Sequence, residues 1–293
     1  MDHGVLGAGG VGGLVAAVLA KAGDNVTLIL RPDSLTKHPG GIALDSTFGK
    51  FAVSVELASS VDQPLDVLWI AVKATQLESA LASVPSGAPI RAVVPLLNGI
   101  DHVQLLRERF GHDRVIAATI AVESERAAPG VIVHRSPWVR LSAASSGRSL
   151  LEAPFEHLRH FGFECNFIDN ETTLLWSKLV FLAPIALSTT AAAAPIGEVI
   201  KDPARKARLE ECVGESCAVA SASGAAVDVN TVLANMSKLP PQMRSSMQKD
   251  VEAGRPPELD AIAGPILRGA EKHGLPSSAT RALVEEIQKR LGR

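Results

Sequence analysis

The sequence predicts an N-terminal α/β domain with a mostly parallel, doubly wound sheet, followed by an all-α C-terminal domain. Up to about residue 168, short apolar runs alternate with helix-like stretches, an order typical of a parallel sheet with crossover helices. From about residue 170 onward, helical spacing dominates. We therefore place the domain boundary between segments 1–168 and 169–293 of the 293-residue chain, whose length suits about two domains.

The elements of the first domain follow from the length of the apolar runs and from helical spacing. The predicted strands cover residues 5–6, 25–30, 67–72, 92–96, 115–121, 132–133 and 139–141. The predicted helices between them cover residues 10–21, 76–84 and 102–110. Because no helix separates the strands between 115 and 142, we expect antiparallel hairpins there, at one edge of the sheet.

The second domain contains predicted helices at 203–223, 259–273 and 279–291, and one that starts near Asn170 and runs through Lys178. Residues 179–197 carry no charge over a length that could span a bilayer. Because Pro184, Pro195 and several hydroxyl side chains interrupt this stretch, we interpret it as a buried helix. The apolar residues 4–20 lack the basic flank of a signal peptide, so we expect a soluble, cytoplasmic protein.

Composition and charge exclude several classes of function. With 29 Lys and Arg against 31 Asp and Glu, the formal charge is −2, and no basic excess is present to bind nucleic acid. Aromatic residues make up 4% of the chain and tyrosine is absent, which leaves few platforms for stacking bases. The cysteines Cys165, Cys212 and Cys217 form no C-x-x-C pattern, so we interpret each as a small buried apolar residue. The histidines lack ligand spacing, and no metal site is predicted.

A glycine-rich loop near the N-terminus predicts a dinucleotide site. The motif G-x-G-x-x-G lies between the first strand and the first helix, and its residues are Gly7, Ala8, Gly9, Gly10, Val11 and Gly12. In such loops the first glycine allows a tight turn, the second lets the backbone approach a pyrophosphate, and the third lets the helix pack on the strand. The pyrophosphate then meets unpaired N–H groups at the helix start. The alternative is a flexible glycine turn.

Arg31 predicts a preference for NADP(H) over NAD(H). An NAD-selective site has an acidic residue at the end of the second strand, whereas this chain has Arg31 there, 24 residues after Gly7. A guanidinium suits a 2′-phosphate. The alternative is a solvated surface arginine.

Two polar residues follow later strands at the edge where ligands collect in such sheets. Lys73 follows the strand that ends at residue 72, and Asn98 follows the next strand. We predict that both face the nicotinamide side of the cofactor, although each could be a plain loop residue.

Lys178 is the candidate catalytic group of the second domain. It lies within an apolar stripe of helical spacing made by Leu174, Leu175, Leu179 and Leu182. A lysine on such a face is partly desolvated, which lowers its pKa toward that of a useful proton donor. The alternative is a lysine whose ammonium reaches water at a domain edge.

Together these residues resemble the ketopantoate reductase (2-dehydropantoate 2-reductase) family over essentially the whole chain. The segments that carry the resemblance are the glycine loop, Arg31, Val72-Lys73-Ala74, Leu97-Asn98-Gly99, Leu175-Trp176-Ser177-Lys178-Leu179, Ser245-Ser246-Met247 and Glu258-Leu259-Asp260. The resemblance implies an N-terminal Rossmann domain, an all-helical C-terminal domain and an active site between them. It also implies NADPH-dependent reduction of ketopantoate to pantoate, a step toward coenzyme A.

The same resemblance assigns roles to individual residues. Lys178 is similar to the catalytic acid that protonates the carbonyl oxygen as hydride arrives. Glu258 is similar to the carboxylate that anchors the substrate and supports that lysine, and Ser246 to a contact for the substrate carboxylate. Lys73 and Asn98 match positions that line the cofactor and substrate cleft.

The chain departs from the family pattern at two positions. The family presents asparagines four and eight residues after the lysine, where this chain has Leu182 and Ala186. A lost hydrogen bond to a substrate hydroxyl costs about 1–3 kcal/mol. The cleft then prefers a less polar 2-keto acid, the enzyme is a slow ketopantoate reductase, or Ser188 or Thr189 supplies the lost groups from a shifted helix.

Three functional hypotheses remain open. The chain reduces ketopantoate with NADPH, it is a family relative that reduces a different 2-keto acid or imine, or it is a non-catalytic NADP(H)-binding protein. Retention of both Lys178 and Glu258 argues against the third. The expected partner is a small 2-keto acid, and the Ala-rich residues 191–194 are compatible with the interface of a homodimer.

Overall fold

A computed structural model describes residues 1–292, which form two compact units. The first contains Met1–Leu97 and His102–Glu171, and the second contains Asn98–Asp101 and the chain from Thr172 onward. Asn98 to Asp101, which the sequence places in the first half, therefore group with the second unit.

The first unit is built from strands and short helices. Its strands are β1 Asp2–Leu6, β2 Asn25–Ile29, β3 Gly41–Ser46, β4 Gly49–Ser54, β5 Glu56–Ala58, β6 Leu65–Ile70, β7 Ile90–Pro95, β8 Ala118–Ala121, β9 Ser124–Ala128, β10 Val131–His134, β11 Val139–Ala144 and β12 Phe163–Ile168. Its helices are α1 Gly10–Lys21, α2 Pro32–Leu35, α3 Leu77–Leu81, α4 His102–Phe110 and α5 Arg148–His160. Short 3-10 turns cover Ala74–Gln76, His112–Arg114 and Ser145–Gly147.

The second unit contains helices and connecting loops, and no strand among the residues that the structure describes. Its helices are α6 Glu171–Ala192, α7 Ile196–Lys201, α8 Pro203–Ala222, α9 Val229–Met236, α10 Ser246–Glu252, α11 Leu259–His273 and α12 Ser278–Arg290. The predicted α/β and all-α architecture is confirmed.

The central sheet of the first unit is parallel and has the order β5-β2-β1-β6-β7. β1 lies in the middle, and the chain winds outward from it in both directions, which is the predicted doubly wound arrangement. Buried residues dominate β1, β6 and β7 because helices cover both faces of such a sheet. These strands were predictable because their apolar runs are almost continuous.

The strands between residues 115 and 142 do not extend the central sheet, which corrects the prediction for this segment. β9 pairs antiparallel with β10, but in a four-stranded sheet of order β4-β3-β10-β9. β8 pairs antiparallel with β11 in a three-stranded sheet of order β12-β11-β8. Val115 forms an isolated parallel bridge with Val93 of the central sheet, and the N–H of Ile116 donates to the Val93 carbonyl oxygen at 3.0 Å. The predicted antiparallel pairing is present. The strands join two other sheets instead of the central one, because β10 pairs with β3 and β11 pairs with β12.

Several elements of the first unit lack a clear sequence signal. β3 and β4 form a hairpin in which Ile42 and Leu44 of β3 are buried and no residue of β4 is, so no continuous apolar run marks them. β12 also alternates, and α5 contains Pro154, a residue that usually breaks a helix. These strands are stabilised by pairing with neighbouring strands, which a local sequence pattern does not reveal.

Helix α6 is the longest helix of the described chain and passes through the core of the second unit. It has 22 residues and a mean hydropathy of 1.5 in its most apolar window, of which 72% is buried. The predicted buried helix is therefore present, but it ends at Ala192 instead of continuing to residue 197. Ala193 has a positive φ of 48°, and Pro195 disfavours helical backbone in the residue before it.

The three cysteines are buried and free, as predicted. Burial raises the pKa of Cys165 and Cys212 to about 12 and that of Cys217 to about 11. All three therefore remain thiols at neutral pH and contribute to packing.

Candidate active site

The glycine loop joins β1 to α1, and the surroundings of its glycines differ. Gly7 has a φ of 106°, a conformation that glycine adopts without strain. A Cβ on Gly12 would overlap the carbonyl oxygen of Gly7, so the helix can approach the strand only with glycine here. By contrast, a Cβ on Gly9 would meet no atom within 4 Å. The loop thus has one open face, at the glycine where a pyrophosphate is expected to approach.

A strand of the second sheet packs on the same loop, and no sequence signal marks this contact. The Ser124 hydroxyl, on β9, donates to the carbonyl oxygen of Gly10 at 2.9 Å. A Cβ on Gly10 would overlap the backbone of Ser124. Gly10 is therefore required for close packing of β9 on the start of α1. Since 114 residues separate the two, no local pattern could reveal the contact.

Arg31 and Lys73 lie at the same edge of the central sheet as the glycine loop. Leu6, at the end of β1, pairs with Ile29 at the end of β2 and with Ile70 at the end of β6. Arg31 follows Ile29 by two residues and is exposed. Lys73 follows Ile70 by three residues, is half-buried and begins a 3-10 turn. The first unit therefore presents two cations beside the loop, at the carboxyl ends of parallel strands that flank β1.

Lys178 lies on α6 among buried leucines of the second unit. Leu174, Leu175 and Leu179 are buried, whereas Lys178 is half-buried. Burial lowers the pKa of Lys178 from its usual value to about 8, and the attraction of Glu258, which raises the pKa, offsets only part of this effect. The direction agrees with the partial desolvation that the apolar stripe predicts.

Glu258 and Asn98 are brought together in the second unit. Glu258 is 7% exposed and occupies the N-cap position of α11. The Asn98 Nδ2 donates to its Oε2 at 3.0 Å, although 160 residues separate the two. A buried carboxylate with a hydrogen-bond donor on one side and a lysine charge nearby is well compensated.

The segment after Asn98 fits closely against α11. Gly99 has a φ of 84°, and a Cβ there would overlap the carbonyl oxygen of Ala261. Asp101 forms an ion pair with Arg268, which also binds Asp260 at 2.8 Å. These contacts place Asn98 beside the start of α11, where Glu258 lies.

Ser246 is the first residue of α10 and is exposed. The residue before it, Ser245, is buried and caps the helix by accepting a hydrogen bond from the Gln248 N–H at 3.1 Å. The structure thus shows direct hydrogen bonding between Asn98 and Glu258, and an electrostatic interaction of Glu258 with Lys178, while Ser246 lies at a separate helix start.

The positions that depart from the family pattern are apolar and packed. Ala186 is buried, and Leu182 is partly buried against the core of the second unit. Ser188 and Thr189 are also buried, and the Thr189 hydroxyl donates to the Ile185 carbonyl oxygen at 2.8 Å. The alternative that Ser188 or Thr189 replaces the asparagines therefore gains no exposed hydroxyl in this structure, since α6 holds both residues inside the second unit.

Comparison with known proteins covers nearly the whole chain. The family models described as "Ketopantoate reductase PanE/ApbA" and "Ketopantoate reductase PanE/ApbA C terminal" match residues 3–145 and 171–290. A 2-dehydropantoate 2-reductase of Mycobacterium tuberculosis is 30% identical over 96% of this chain and 94% of its own. An uncharacterized oxidoreductase of Bacillus subtilis is 26% identical over 97% of both chains.

Solved structures agree with the sequence comparison. The crystal structure of a PanE/ApbA family ketopantoate reductase from Ralstonia eutropha superimposes with a TM-score of 0.85 and 26% identity, over 99% of this chain and 98% of that chain. Both units of the fold are therefore represented in the relatives. The chain belongs to the ketopantoate reductase family of oxidoreductases.

Proposed function

We propose that the chain reduces 2-dehydropantoate (ketopantoate) to pantoate with NADPH. The observation that carries the proposal is the half-buried Lys178, whose pKa is lowered to about 8 in the presence of the buried Glu258. A lysine of this kind is protonated at neutral pH and releases its proton more readily than a solvated lysine does. Membership of the ketopantoate reductase family supports the choice of ketopantoate as the substrate.

The residues of the first unit fit a dinucleotide cofactor. The open space beside Gly9 leaves room for a pyrophosphate against the first N–H groups of α1, which have no partner within the helix. Exposed Arg31 suits the 2′-phosphate that distinguishes NADPH from NADH, and Lys73 adds a second positive charge at this edge. When bound, the cofactor supplies the hydride.

The residues of the second unit supply the proton and the binding contacts. Addition of hydride to a ketone places negative charge on the carbonyl oxygen, and the ammonium of Lys178 stabilises that charge and transfers a proton from Nζ to the oxygen. The negative charge of Glu258 favours the protonated form of Lys178, which burial disfavours. The hydrogen bond from Asn98 holds the Glu258 carboxylate in position. Ser246 offers its exposed hydroxyl to the substrate carboxylate, and Asn98 also serves the cofactor.

The direct test is the loss of NADPH absorbance with ketopantoate, measured beside NADH and beside smaller and more apolar 2-keto acids. NADPH-selective turnover of ketopantoate supports the proposal. Absence of turnover while NADPH still binds rejects ketopantoate as the substrate and leaves the proposed cofactor site standing.

A second candidate, a reductase of a less polar 2-keto acid or imine, is favoured by Leu182 and Ala186. Both positions face the apolar core in part or in full and offer no hydrogen bond to a substrate hydroxyl. If this candidate holds, an apolar 2-keto acid exceeds ketopantoate in kcat/KM, and Leu182→Asn reduces that preference. If Lys178→Ala instead leaves every measured property unchanged, a non-catalytic NADP(H)-binding role is favoured.

We extend the proposal to the setting of the reaction. Reduction of ketopantoate makes pantoate for pantothenate and coenzyme A synthesis, which is a cytoplasmic process, and the burial of α6 supports an aqueous location. A homodimer is compatible with the fold. Sedimentation of the purified protein tests it, and a monomer at micromolar concentration contradicts it.

A further inference from the structure

Three consecutive hydroxyl residues lie near the end of α6, and among the residues that the structure describes only the middle one makes a side-chain hydrogen bond to a distant segment. Ser188, Thr189 and Thr190 are all buried. Among the residues that the structure describes, the hydroxyls of Ser188 and Thr190 have no hydrogen-bond partner. The Thr189 Oγ1 donates to the Ile185 carbonyl oxygen at 2.8 Å and lies 2.8 Å from the Ser245 Oγ. A bond back to the helix is ordinary for threonine, whereas the contact with Ser245 joins segments 56 residues apart.

Ser245 determines where α10 begins. Its side chain is 4% exposed, and its Oγ accepts the N–H of Gln248 at 3.1 Å. Such a cap fixes the first turn of a helix, and Ser246, the exposed residue that is proposed to bind the substrate carboxylate, lies in that turn. The Thr189 hydroxyl therefore contacts the residue that sets the position of Ser246.

The loop before Ser245 is held by backbone hydrogen bonds. The N–H of Ile196 donates to the Met243 carbonyl oxygen at 3.0 Å, and the N–H of Gly197 donates to that of Pro241 at 2.9 Å. These bonds fix the path of the loop up to residue 243. Two residues further along, Thr189 makes a side-chain contact with Ser245, the residue that caps α10.

Lys178 and Thr189 lie on one face of the same helix. The residues 178, 182, 185 and 189 are spaced i, i+4, i+7 and i+11, which aligns them along one stripe. At 1.5 Å per residue, Lys178 and Thr189 are about 16 Å apart along the axis. Because both residues belong to α6, the helix fixes the distance between Lys178 and the Thr189 hydroxyl that contacts the cap of α10.

We infer that Thr189 is a positioning residue that sets Ser246 relative to Lys178. The inference rests on the proposed function: a 2-keto acid held by its carboxylate at Ser246 presents its carbonyl oxygen to Lys178 only if this separation is kept. Without the Thr189 hydroxyl, the cap and the first turn of α10 move more freely. Substrate binding is then weakened more than the rate of proton transfer is lowered.

The test compares two Thr→Val variants at adjacent buried positions. Thr189→Val removes the contact with Ser245, while Thr190→Val is the matched control because its hydroxyl has no partner. We expect Thr189→Val to raise the KM for the keto acid about 3- to 10-fold, the range of one ordinary hydrogen bond, with kcat changed less than about 2-fold. Thr189→Ser, which keeps the hydroxyl, should have the wild-type KM. The affinity for NADPH should be the same in all variants.

Amide hydrogen exchange across residues 245–252 gives a second readout that does not need turnover. We expect faster exchange of these amides in Thr189→Val but not in Thr190→Val. If the wild-type protein reduces no 2-keto acid, the proposed function fails, and the exchange data still decide the inference. If Thr189→Val does not fold, Thr189→Ala removes the same hydroxyl while the Ser245 cap stays in place, with Thr190→Ala as its control. Equal exchange and equal KM in the two Thr→Val variants overturn the inference.

Discussion

The two units of this protein build their candidate sites from different chemistry. In the first unit, the glycine loop offers backbone N–H groups, and what matters at Gly9 and Gly12 is the absence of a side chain. In the second unit, the half-buried Lys178 and the buried Glu258 offer opposite charges beside apolar side chains.

The difference affects how each site responds to change. A backbone site depends on space, so an added Cβ damages it while a change of pH does not. A site of buried charges depends on electrostatic balance, so it tolerates small changes of volume but responds to pH and to the loss of one partner. Substitutions in each unit therefore test whether the two sites differ in this way.

Replacement of Lys178 tests the charged site most directly. We expect Lys178→Met to lower kcat about 10²- to 10⁴-fold, the usual contribution of a general acid, while NADPH binding measured by fluorescence titration is retained. Lys201→Met, at an exposed lysine of α7, is the control. A kcat for Lys178→Met within about 2-fold of wild type would contradict the role of Lys178 as the acid.

Replacement of Arg31 tests the selectivity of the first unit. We expect Arg31→Ala to weaken NADPH binding about 10- to 100-fold, since a hydrogen bond between charged groups is stronger than an ordinary one. NADH lacks the 2′-phosphate, so its dissociation constant should not change and acts as the internal control. An equal loss of affinity for NADPH and NADH would contradict the assignment of Arg31 to the 2′-phosphate.

Two glycine variants separate packing from cofactor approach. Gly12→Ala forces a Cβ into the Gly7 carbonyl oxygen, and we expect it to lower the free energy of unfolding by about 1–3 kcal/mol or more. Gly9→Ser places its side chain in open space and keeps a good N-cap residue, so its thermal unfolding should match wild type while NADPH binding weakens about 10-fold. Normal NADPH affinity in Gly9→Ser would show that the cofactor does not approach there.

The pH dependence sharpens the contrast between the units. The acid must be protonated, so kcat/KM should fall as pH rises through the Lys178 pKa of about 8. Glu258 raises that pKa, so Glu258→Gln should move the fall to lower pH, while the Gln oxygen still accepts from Asn98. NADPH affinity should stay level over the same range. An unmoved pH profile in Glu258→Gln would argue that Glu258 does not support the lysine charge.

Local sequence was sufficient wherever neighbouring residues decide the structure. The glycine loop, four of the five strands of the central sheet and the long helices of the second unit were predicted from apolar runs and spacing, whereas the short edge strand β5 was not. The apolar stripe around Lys178 likewise indicates a desolvated lysine from residue type and spacing alone. In each case the physical cause, backbone conformation or burial of one face, acts within a few residues.

Tertiary structure alone decided the contacts between distant segments. It assigned β8 to β12 to two further sheets, placed Ser124 on the glycine loop and paired Asn98 with Glu258. It also held Ser188 and Thr189 inside the core, although the sequence allowed them as substrate contacts. The amino-acid sequence was enough to predict the strands with continuous apolar runs, the long helices and the residues that can bear the chemistry, because periodicity and residue type are local. Which of these residues meet depends on how the whole chain packs, because burial and hydrogen bonding between remote segments are satisfied together.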